Sequence, residues 1–338
     1  MIRLILHRSL AANATENHGL TLAIGNFDGV HIGHQAILKA LRDFSSEHAL
    51  TPAVLSFEPL PREYFSRIRP ELPAPARLMG PSEKLAAFER AGIRHAFIPR
   101  FNADFAAQSP DEFIASLVKL PVRWLAVGED FRFGARRMGD IATLRSAGAK
   151  FGFGVETLAD IEDRGHRVSS TAIRDALAAG NLASANAMLG RPYSIIGRVT
   201  HGKKLGRTLG FPTANVSLGC AARQQNPAIR GVFAVRCRLV TRGLEGVAGK
   251  AGVILNGVAN LGTNPVVSSE NRHHLEIFLF DFADDLYGQR LEVSFIEKIR
   301  DEQKFASLDA LVTQMHDDTA QAKHILRMTE GKTDGPES

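Results

Sequence analysis

GNFDGVHIGH, residues Gly25 to His34, separates a short apolar run from an amphipathic segment and decides the fold of the first half of the chain. The preceding run, Leu20 to Ile24, is typical of a buried strand. Downstream, Ile37, Leu38 and Leu41 recur at helical spacing. The glycines and both histidines of this stretch are therefore predicted to lie at a strand-to-helix turn.

Such a turn is a natural binding site for an anion. The N-terminus of a helix leaves backbone N–H groups unpaired and carries partial positive charge. Gly25, Gly29 and Gly33 have no Cβ, so the backbone can turn sharply and approach a ligand closely. His31 and His34 are three residues apart, hence neighbours on one helix face, and each can donate a ring N–H to the same oxyanion. The alternative interpretation is a cluster of turn glycines beside two surface histidines.

Length and composition indicate an ordinary globular protein of two domains. The chain has 338 residues, and domains average roughly 150 residues. Cys220 and Cys237 form no disulfide framework or metal-binding spacing, which suits a reducing cytoplasm. The segment from Met1 to Arg8 has too short an apolar core for a signal peptide, and no later run is long enough to span a bilayer. We expect an intracellular protein with no membrane partner.

The chain is basic, with a formal net charge of +5 and a pI of about 9.3. Its positive residues are dispersed among 36 acidic ones, without a basic run or a basic stripe interleaved with aromatic residues. Polyanionic small molecules explain the excess charge, so no nucleic-acid partner is expected.

Strand-like and helix-like stretches alternate up to about residue 180. Strands are predicted at residues 20–24, 52–57, 95–99, 122–128 and 154–158. Helices are predicted at residues 82–92, from 109 onward, and at 140–150. This alternation predicts a parallel sheet with helices on both faces, and ligands then bind beyond the carboxyl ends of the strands.

Polar and aromatic motifs fall where predicted strands end. SFEPLP occupies residues 56–61 and GEDFRFG residues 128–134. SSTAIR, residues 169–174, opens a later helix and offers hydroxyls, N–H groups and a guanidinium to phosphate oxygens. The alternatives are simple helix capping by Ser169 or Ser170 with a solvated arginine, and core packing for Phe131 and Phe133.

The pattern changes after two short predicted helices, residues 172–179 and 182–189. Short alternating runs then predict strands at residues 195–200, 232–239, 252–255, 275–280 and 291–296. An amphipathic segment, residues 308–328, predicts a terminal helix. Glycine-rich turns between the strands favour an antiparallel β-barrel.

Two features of this second half carry chemistry. GKKLGRTLGFPTAN, residues 202–215, has the glycines and cations that suit a loop wrapped around phosphates, although Pro-Thr-Ala-Asn alone equally indicates a turn. His274 and Glu276 alternate onto one face of a predicted strand. There are too few ligands for zinc, and an exposed strand face is the alternative.

In this order, GNFDGVHIGH, SFEPLP, Arg77-Leu78, GEDFRFG and SSTAIR resemble the FMN adenylyltransferase module of bacterial bifunctional riboflavin kinase/FAD synthetases. GFPTAN resembles the riboflavin kinase signature. The resemblance implies an α/β, Rossmann-like nucleotidyltransferase domain with a parallel sheet over residues 1–183, a linker over 184–192, an antiparallel β-barrel kinase domain with a terminal α-helix over 193–328, and a flexible tail over 329–338.

The resemblance also implies two reactions, each with Mg²⁺. ATP and riboflavin give FMN in the barrel, and ATP and FMN give FAD and pyrophosphate in the first domain. His31 and His34 would stabilise charge on the transferring phosphoryl group, and Glu276 would orient and deprotonate the 5′-hydroxyl of riboflavin.

The remaining implied site residues fall into three groups. Residues implied to bind ATP or phosphate are Gly25, Phe27, Asp28, Gly29, Gly33, Ser170, Thr171, Arg174, Gly202, Lys204, Gly206, Arg207 and Gly210. Residues implied to border the flavin are Glu58, Asp130, Phe131 and Arg300, and those implied to hold Mg²⁺ are Thr213 and Asn215. For Arg300, a surface ion pair with Asp301 or Glu302 is the alternative.

Three other functions are compatible with parts of the sequence. An adenylyltransferase for another phosphate acceptor, with a flavin-binding appendage, is disfavoured by GFPTAN. A non-catalytic flavin sensor is disfavoured because binding alone does not require His31, His34, Thr213, Asn215 and Glu276. An RNA-binding module is disfavoured by the dispersed charge. We expect a cytoplasmic enzyme that is a monomer or a weak homo-oligomer and takes small-molecule substrates.

Overall fold

The computed structural model describes residues 3–10, 19–69, 71–159, 161–163, 165–202, 210–218, 227–240, 253–264 and 272–330. The chain divides into two compact units. The first comprises Met1–Pro75 and Pro81–Ser170, and the second comprises Ala76–Gly80 and Thr171–Ser338.

The first unit is built on a six-stranded parallel sheet. Its strands are β1 (Ile5–His7), β2 (Leu20–Ile24), β3 (Thr51–Leu55), β4 (His95–Phe97), β5 (Val122–Gly128) and β6 (Gly154–Leu158), in the spatial order β1-β4-β3-β2-β5-β6. Its helices are α1 (Ile32–Glu47), α2 (Pro61–Ile68), α3 (Pro81–Arg90), α4 (Ala103–Ala107), α5 (Pro110–Leu117) and α6 (Ile141–Phe151). A small hairpin of β7 (Glu162–Asp163) and β8 (His166–Arg167) follows, and α7 (Ser170–Ala178) begins at the end of this unit.

Strand β2 lies at the point where the strand order of this sheet reverses. All five of its residues are buried, and it pairs in parallel with β3 on one side and β5 on the other. The chain therefore continues on opposite sides of β2, and in parallel sheets ligands bind beyond the carboxyl end of such a strand. The predicted parallel sheet is confirmed, with the GNFDGVHIGH turn at the point where the strand order reverses.

The second unit is a closed antiparallel barrel. Its strands are β9 (Ser194–Thr200), β10 (Thr213–Ser217), β11 (Gly231–Leu239), β12 (Ile254–Asn264), β13 (Arg272–Leu279) and β14 (Arg290–Arg300), in the order β10-β13-β12-β11-β14-β9. The unit also contains most of α7, α8 (Leu182–Leu189) and the terminal helix α9 (Leu308–Met328). The predicted barrel and terminal helix are confirmed.

Two strands of the barrel differ from the prediction. Residues 254 and 255 of the run predicted at 252–255 begin a much longer strand, β12, and residue 252 lies outside the described residues. Strand β10 was not predicted, because Thr-Ala-Asn-Val-Ser has one large apolar residue, Val216, and no alternation. It forms because it pairs with both β9 and β13 and thereby closes the barrel.

Helix α9 packs against the outside of the barrel. Ala322, Ile325 and Leu326 of the helix form a buried cluster with Ala234 and Phe280 of the barrel. Beside this apolar contact, Arg300 on β14 forms a bidentate ion pair with Asp318 on α9. Its Nε donates to Oδ1 at 2.9 Å and its Nη2 to Oδ2 at 2.7 Å, and Asp318 is 4 % exposed. The ion pair therefore joins the last strand to the terminal helix.

Asp318→Ala is expected to lower the free energy of unfolding of the second unit by about 3 kcal/mol, because it leaves the Arg300 guanidinium largely buried without its carboxylate. Urea unfolding followed by circular dichroism measures this loss. The only tryptophan, Trp124, lies on β5 of the first unit, so its fluorescence reports that unit separately.

The matched control is Asp301→Ala. It removes a side chain that is 86 % exposed and pairs with Lys298, and exposed ion pairs contribute little to stability. Equal losses in the two variants would contradict a stabilising role for the Arg300–Asp318 pair.

Candidate functional sites

The turn after β2 is held in an unusual backbone conformation. Phe27, Gly29 and Val30 have φ angles of +48°, +86° and +41°. Glycine adopts this region freely, whereas an aromatic and a β-branched residue are strained there. Such strain persists only where surrounding contacts enforce it, and it concentrates at functional sites.

Gly25 and Gly33 do not have left-handed backbone conformations. Their role is to leave space for neighbouring side chains. A Cβ on Gly25 would lie 3.3 Å from the ring of Phe27, and a Cβ on Gly33 would lie 3.2 Å from Nδ1 of His31. Phe27 itself is buried, and its ring contacts those of Phe88 and His34 at centroid distances of 5.3 and 5.1 Å. The turn is thus tightly packed around the two histidines.

The two histidines lie together at the start of α1. Their rings stack with centroids 3.7 Å apart and planes 25° apart. His31 is the N-cap residue of α1, and its Nδ1 accepts a long hydrogen bond of 3.4 Å from the backbone N–H of His34. In a neutral ring with this bond, Nε2 of His31 carries the proton and is a donor. Nδ1 of His34 is buried, and no described residue hydrogen-bonds to it.

His34 is held neutral. Burial lowers its pKa well below the usual histidine range, and the nearby His31 and Lys84 lower this pKa further. Because the charged form is disfavoured, the ring acts at neutral pH as a hydrogen-bonding group without a charge of its own.

Ser170 contacts the same turn. Its hydroxyl donates to the backbone carbonyl of Asp28 at 2.9 Å, and Asp28 is itself buried. Thr171 and Arg174 lie on the same helix, α7, and belong to the second unit. Arg174 Nε donates to the carbonyl of Ala76 at 2.6 Å. The structure therefore places Ser170 beside the turn after β2.

The predicted flavin-binding residues of the first unit follow strands β3 and β5. Glu58 lies just beyond β3 and is partly buried. Beyond β5, Asp130 is largely exposed and accepts a hydrogen bond from Arg167 at 3.0 Å, while the partly exposed ring of Phe131 stacks on Phe133 with centroids 5.8 Å apart.

An aromatic wall that was not predicted from the sequence lies beyond the carboxyl ends of β3 and β4. It consists of the partly exposed rings of Phe57, Tyr64, Phe101 and Phe105, in edge-on or tilted contact at 5.3 to 5.7 Å. The buried rings of Phe113 and Phe133 continue this contact to Phe131. The signal available in the sequence was the position of Phe57 at the end of one predicted strand and of Phe101 just after another.

In the second unit, cross-strand pairing brings three polar residues into one row. Asn215 on β10 lies directly opposite Glu276 on β13, and Glu276 lies opposite Asn260 on β12. Directly opposed residues project from the same face of a sheet, so the three side chains are neighbours. Oδ1 of Asn260, which the sequence analysis did not single out, is buried, and no described residue hydrogen-bonds to it.

The predicted Mg²⁺ ligands lie on β10. Thr213 and Asn215 are two residues apart and share the face of Glu276. Gly202 leaves room for Asn215, because a Cβ there would collide with the side-chain amide. Gly210 has a φ of +84°, whereas the predictions for Lys204, Gly206 and Arg207 lie outside the described residues.

Arg300 has a structural partner. An ion pair with Asp301 or Glu302 was the alternative to flavin binding, but the carboxylate that its guanidinium binds is that of Asp318, 18 residues further on. Its Nη1 also donates to the backbone carbonyl of Asp301 at 2.9 Å. The contact with flavin stays a prediction.

Comparison with known proteins agrees with both halves of this architecture. The FAD synthetase family matches residues 13–172, and the riboflavin kinase family matches residues 189–326. A bifunctional riboflavin kinase/FMN adenylyltransferase of Haemophilus influenzae is 46% identical over 307 residues, which cover 90% of this chain and 94% of that protein. The protein of the same description from Escherichia coli K12 is 44% identical over 314 residues, covering 92% and 94%.

A solved structure described as a macrolide-efflux protein from Streptococcus pneumoniae shares the fold. It has a TM-score of 0.75 and 26% identity, and the match covers 94% of this chain and 97% of that one. Within the described ranges, no helix combines the length and apolarity needed to cross a membrane.

Fold and matches together define an enzyme of flavin-nucleotide synthesis, with an adenylyltransferase module on the parallel sheet and a kinase module on the barrel. The chain belongs to the family of bifunctional riboflavin kinase/FMN adenylyltransferases. It phosphorylates riboflavin to FMN and adenylylates FMN to FAD, with ATP as the second substrate.

Proposed function

We propose that adenylyl transfer occurs at the turn after β2, with His31 and His34 as its catalytic residues. The observation that carries this proposal is the stacked pair at the N-terminus of α1, with Nδ1 of His34 buried and without a partner among the described residues. In the reaction an oxygen of the FMN phosphate forms a bond to the α-phosphorus of ATP, and the bond to the leaving pyrophosphate breaks. Such transfers depend on positioning and on stabilisation of charge, so no covalent nucleophile is needed.

The substrates would be held by groups around this turn. Backbone N–H groups from Gly25 to Gly33 and the first turn of α1 suit the phosphates of ATP. The hydroxyl of Ser170, which contacts the turn, supports a role in phosphate binding for it and for its helix neighbours Thr171 and Arg174.

We assign the flavin ring of FMN to the aromatic wall, with Phe131, Glu58 and Asp130 at its border. Partly exposed rings beyond the carboxyl ends of β3 and β5 suit a flat aromatic ligand, because stacking and edge contacts bury large apolar surfaces. The carboxyl ends of β3, β2 and β5 lie side by side at one edge of the parallel sheet. The proposed sites for the ring and for the phosphate of FMN therefore adjoin each other.

For the kinase reaction we assign Glu276 to the 5′-hydroxyl of riboflavin. An ordinary carboxylate is a weak base for an alcohol, so its main contribution is to orient the hydroxyl, and it accepts the proton late in the transfer. The position of Glu276 between two asparagines in a cross-strand row supports this role. Phosphate binding is assigned to residues 202–210, including Gly202, Lys204, Gly206, Arg207 and Gly210.

Thr213 and Asn215 fit a Mg²⁺ ion that accompanies ATP. Hydroxyl and amide oxygens are the hard donors that Mg²⁺ accepts, and Gly202 has no Cβ to collide with the Asn215 amide. When bound, Mg²⁺ neutralises charge on the phosphates of ATP. The protein's part is to place these oxygens two residues apart on one face of β10, next to Glu276.

We also propose that residues 1–183 carry the adenylyltransferase, 193–328 the kinase, 184–192 the linker and 329–338 a tail, which the family matches at 13–172 and 189–326 support. A cytoplasmic location, a monomeric or weakly associating state and the lack of a nucleic-acid partner complete the proposal. The dispersed charge supports the last of these.

A chromatographic assay that resolves riboflavin, FMN and FAD tests the need for Mg²⁺. Purified protein with riboflavin, ATP and Mg²⁺ is expected to form FMN and then FAD, and excess EDTA is expected to stop both reactions until Mg²⁺ is restored in excess. Formation of both products at an unchanged rate in EDTA would contradict the metal proposal.

A further inference from the structure

Lys84 is a buried cation next to the adenylyltransferase site. It lies on α3, its residue is 2 % exposed, and a buried ammonium is costly unless its N–H groups are used. Its Nζ donates to the backbone carbonyl of Asn26 at 2.7 Å and to Oγ of Ser56 at 3.4 Å. The Ser56 hydroxyl also donates to the Asn26 carbonyl, at 3.1 Å. The Asn26 carbonyl thus accepts hydrogen bonds from two other segments of the first unit.

This carbonyl lies directly before the strained residue Phe27, whose φ is +48°. Contacts from the surroundings must enforce such a conformation in an aromatic residue. Phe88, one helical turn after Lys84, meets the ring of Phe27 edge-on at 5.3 Å. Helix α3 therefore holds both the backbone before Phe27 and its ring, and that ring lies 5.1 Å from the ring of His34.

The charge of Lys84 also acts on the histidine pair. It is one of the groups that, after burial and His31, lower the pKa of His34.

We propose that Lys84 is a positioning residue for adenylyl transfer. Its ammonium holds the Asn26 carbonyl and the turn at Phe27, so that His31 and His34 present one fixed arrangement to the transferring phosphoryl group. This inference rests on the proposed role of the histidine pair.

Steady-state kinetics of Lys84→Met, with FMN, ATP and Mg²⁺, test the inference. The variant is expected to lose about 10- to 100-fold in kcat for FAD formation, because small displacements of catalytic groups have effects of this size. Its KM for ATP is expected to change by less than about threefold, because a group that acts only on the transition-state arrangement lowers kcat. Riboflavin kinase activity, measured on the same preparation, is expected to be unchanged.

Two further variants sharpen the test. Lys84→Arg keeps a charged donor and is expected to recover kcat to within about tenfold of the wild type. Lys39→Met removes an exposed lysine from α1 of the same unit and is expected to leave both activities unchanged. Unchanged kcat in Lys84→Met, or a loss shared equally by the kinase, would overturn the inference.

His34→Ala in the same assay distinguishes a failure of the proposed role of Lys84 from a failure of the proposed role of the histidine pair. If His34→Ala retains full FAD formation, the proposed role of the histidine pair is wrong. If His34→Ala loses FAD formation and Lys84→Met does not, only the role of Lys84 is wrong. Should Lys84→Met fail to fold, Ser56→Ala carries the test: it removes one hydrogen bond to the Asn26 carbonyl and is expected to lower kcat about fivefold, and an unchanged kcat overturns the inference.

Discussion

Glu276→Gln is expected to reduce formation of FMN from riboflavin by about 100- to 10,000-fold while leaving formation of FAD from added FMN intact. The substitution keeps the shape of the side chain and its position opposite Asn215 and Asn260, but removes the carboxylate that would orient and deprotonate the attacking hydroxyl. Because the two reactions lie on separate modules, supplying FMN bypasses the lost step. Chromatographic assays started from riboflavin and, separately, from FMN measure the two activities on one sample.

Glu297→Gln is the matched control for this prediction. Glu297 is an exposed glutamate on β14 of the same barrel, so the same chemical change there is expected to alter neither reaction. Binding of riboflavin to the Glu276→Gln variant, followed by quenching of flavin fluorescence, distinguishes a catalytic defect from a folding defect. Wild-type FMN formation in Glu276→Gln would remove Glu276 from the reaction.

The alternation of strands and helices in the sequence predicted the parallel sheet, and short alternating runs predicted the barrel. Strand β10 was missed because its sequence carries no strand pattern of its own and its conformation comes from pairing with β9 and β13. These partners lie 15 to 65 residues away in the chain, as with the pairs Asn215–Thr200 and Thr213–Phe278, whereas a sequence pattern covers only a few neighbouring residues. The consequence is functional, since this strand carries both proposed Mg²⁺ ligands.

The site was predictable in its location more than in its contacts. The turn after β2 and its two histidines stand out in the sequence, but the left-handed conformations of Phe27 and Val30 oppose the preferences of these residue types. Lys84 could have been noticed because it lies one turn before Phe88, on the buried face of an amphipathic helix. The partner of Arg300 could not have been predicted from the sequence, because Asp318 contacts Arg300 only when α9 packs against the barrel.

His31→Ala and His34→Ala are each expected to lower kcat for FAD formation by about 100- to 1,000-fold, the effect of removing one donor that stabilises charge in a transition state. Riboflavin kinase activity is expected to remain, so that either variant supplied with riboflavin accumulates FMN. The double variant is expected to be far less impaired than the product of the two losses, because the rings stack at 3.7 Å and His31 hydrogen-bonds the backbone of His34.

A structural effect has to be separated from this loss, because His31 is also the N-cap residue of α1. Replacing a capping side chain by alanine costs about 1 kcal/mol of stability, whereas asparagine is a good N-cap residue. His31→Asn is therefore expected to unfold at the same urea concentration as the wild type, followed by Trp124 fluorescence, and still to lose FAD formation to the same extent as His31→Ala. If His31→Asn instead restores FAD formation, the ring of His31 serves to begin the helix, and the stabilisation of the transferring phosphoryl group falls to His34 and the backbone N–H groups of the turn.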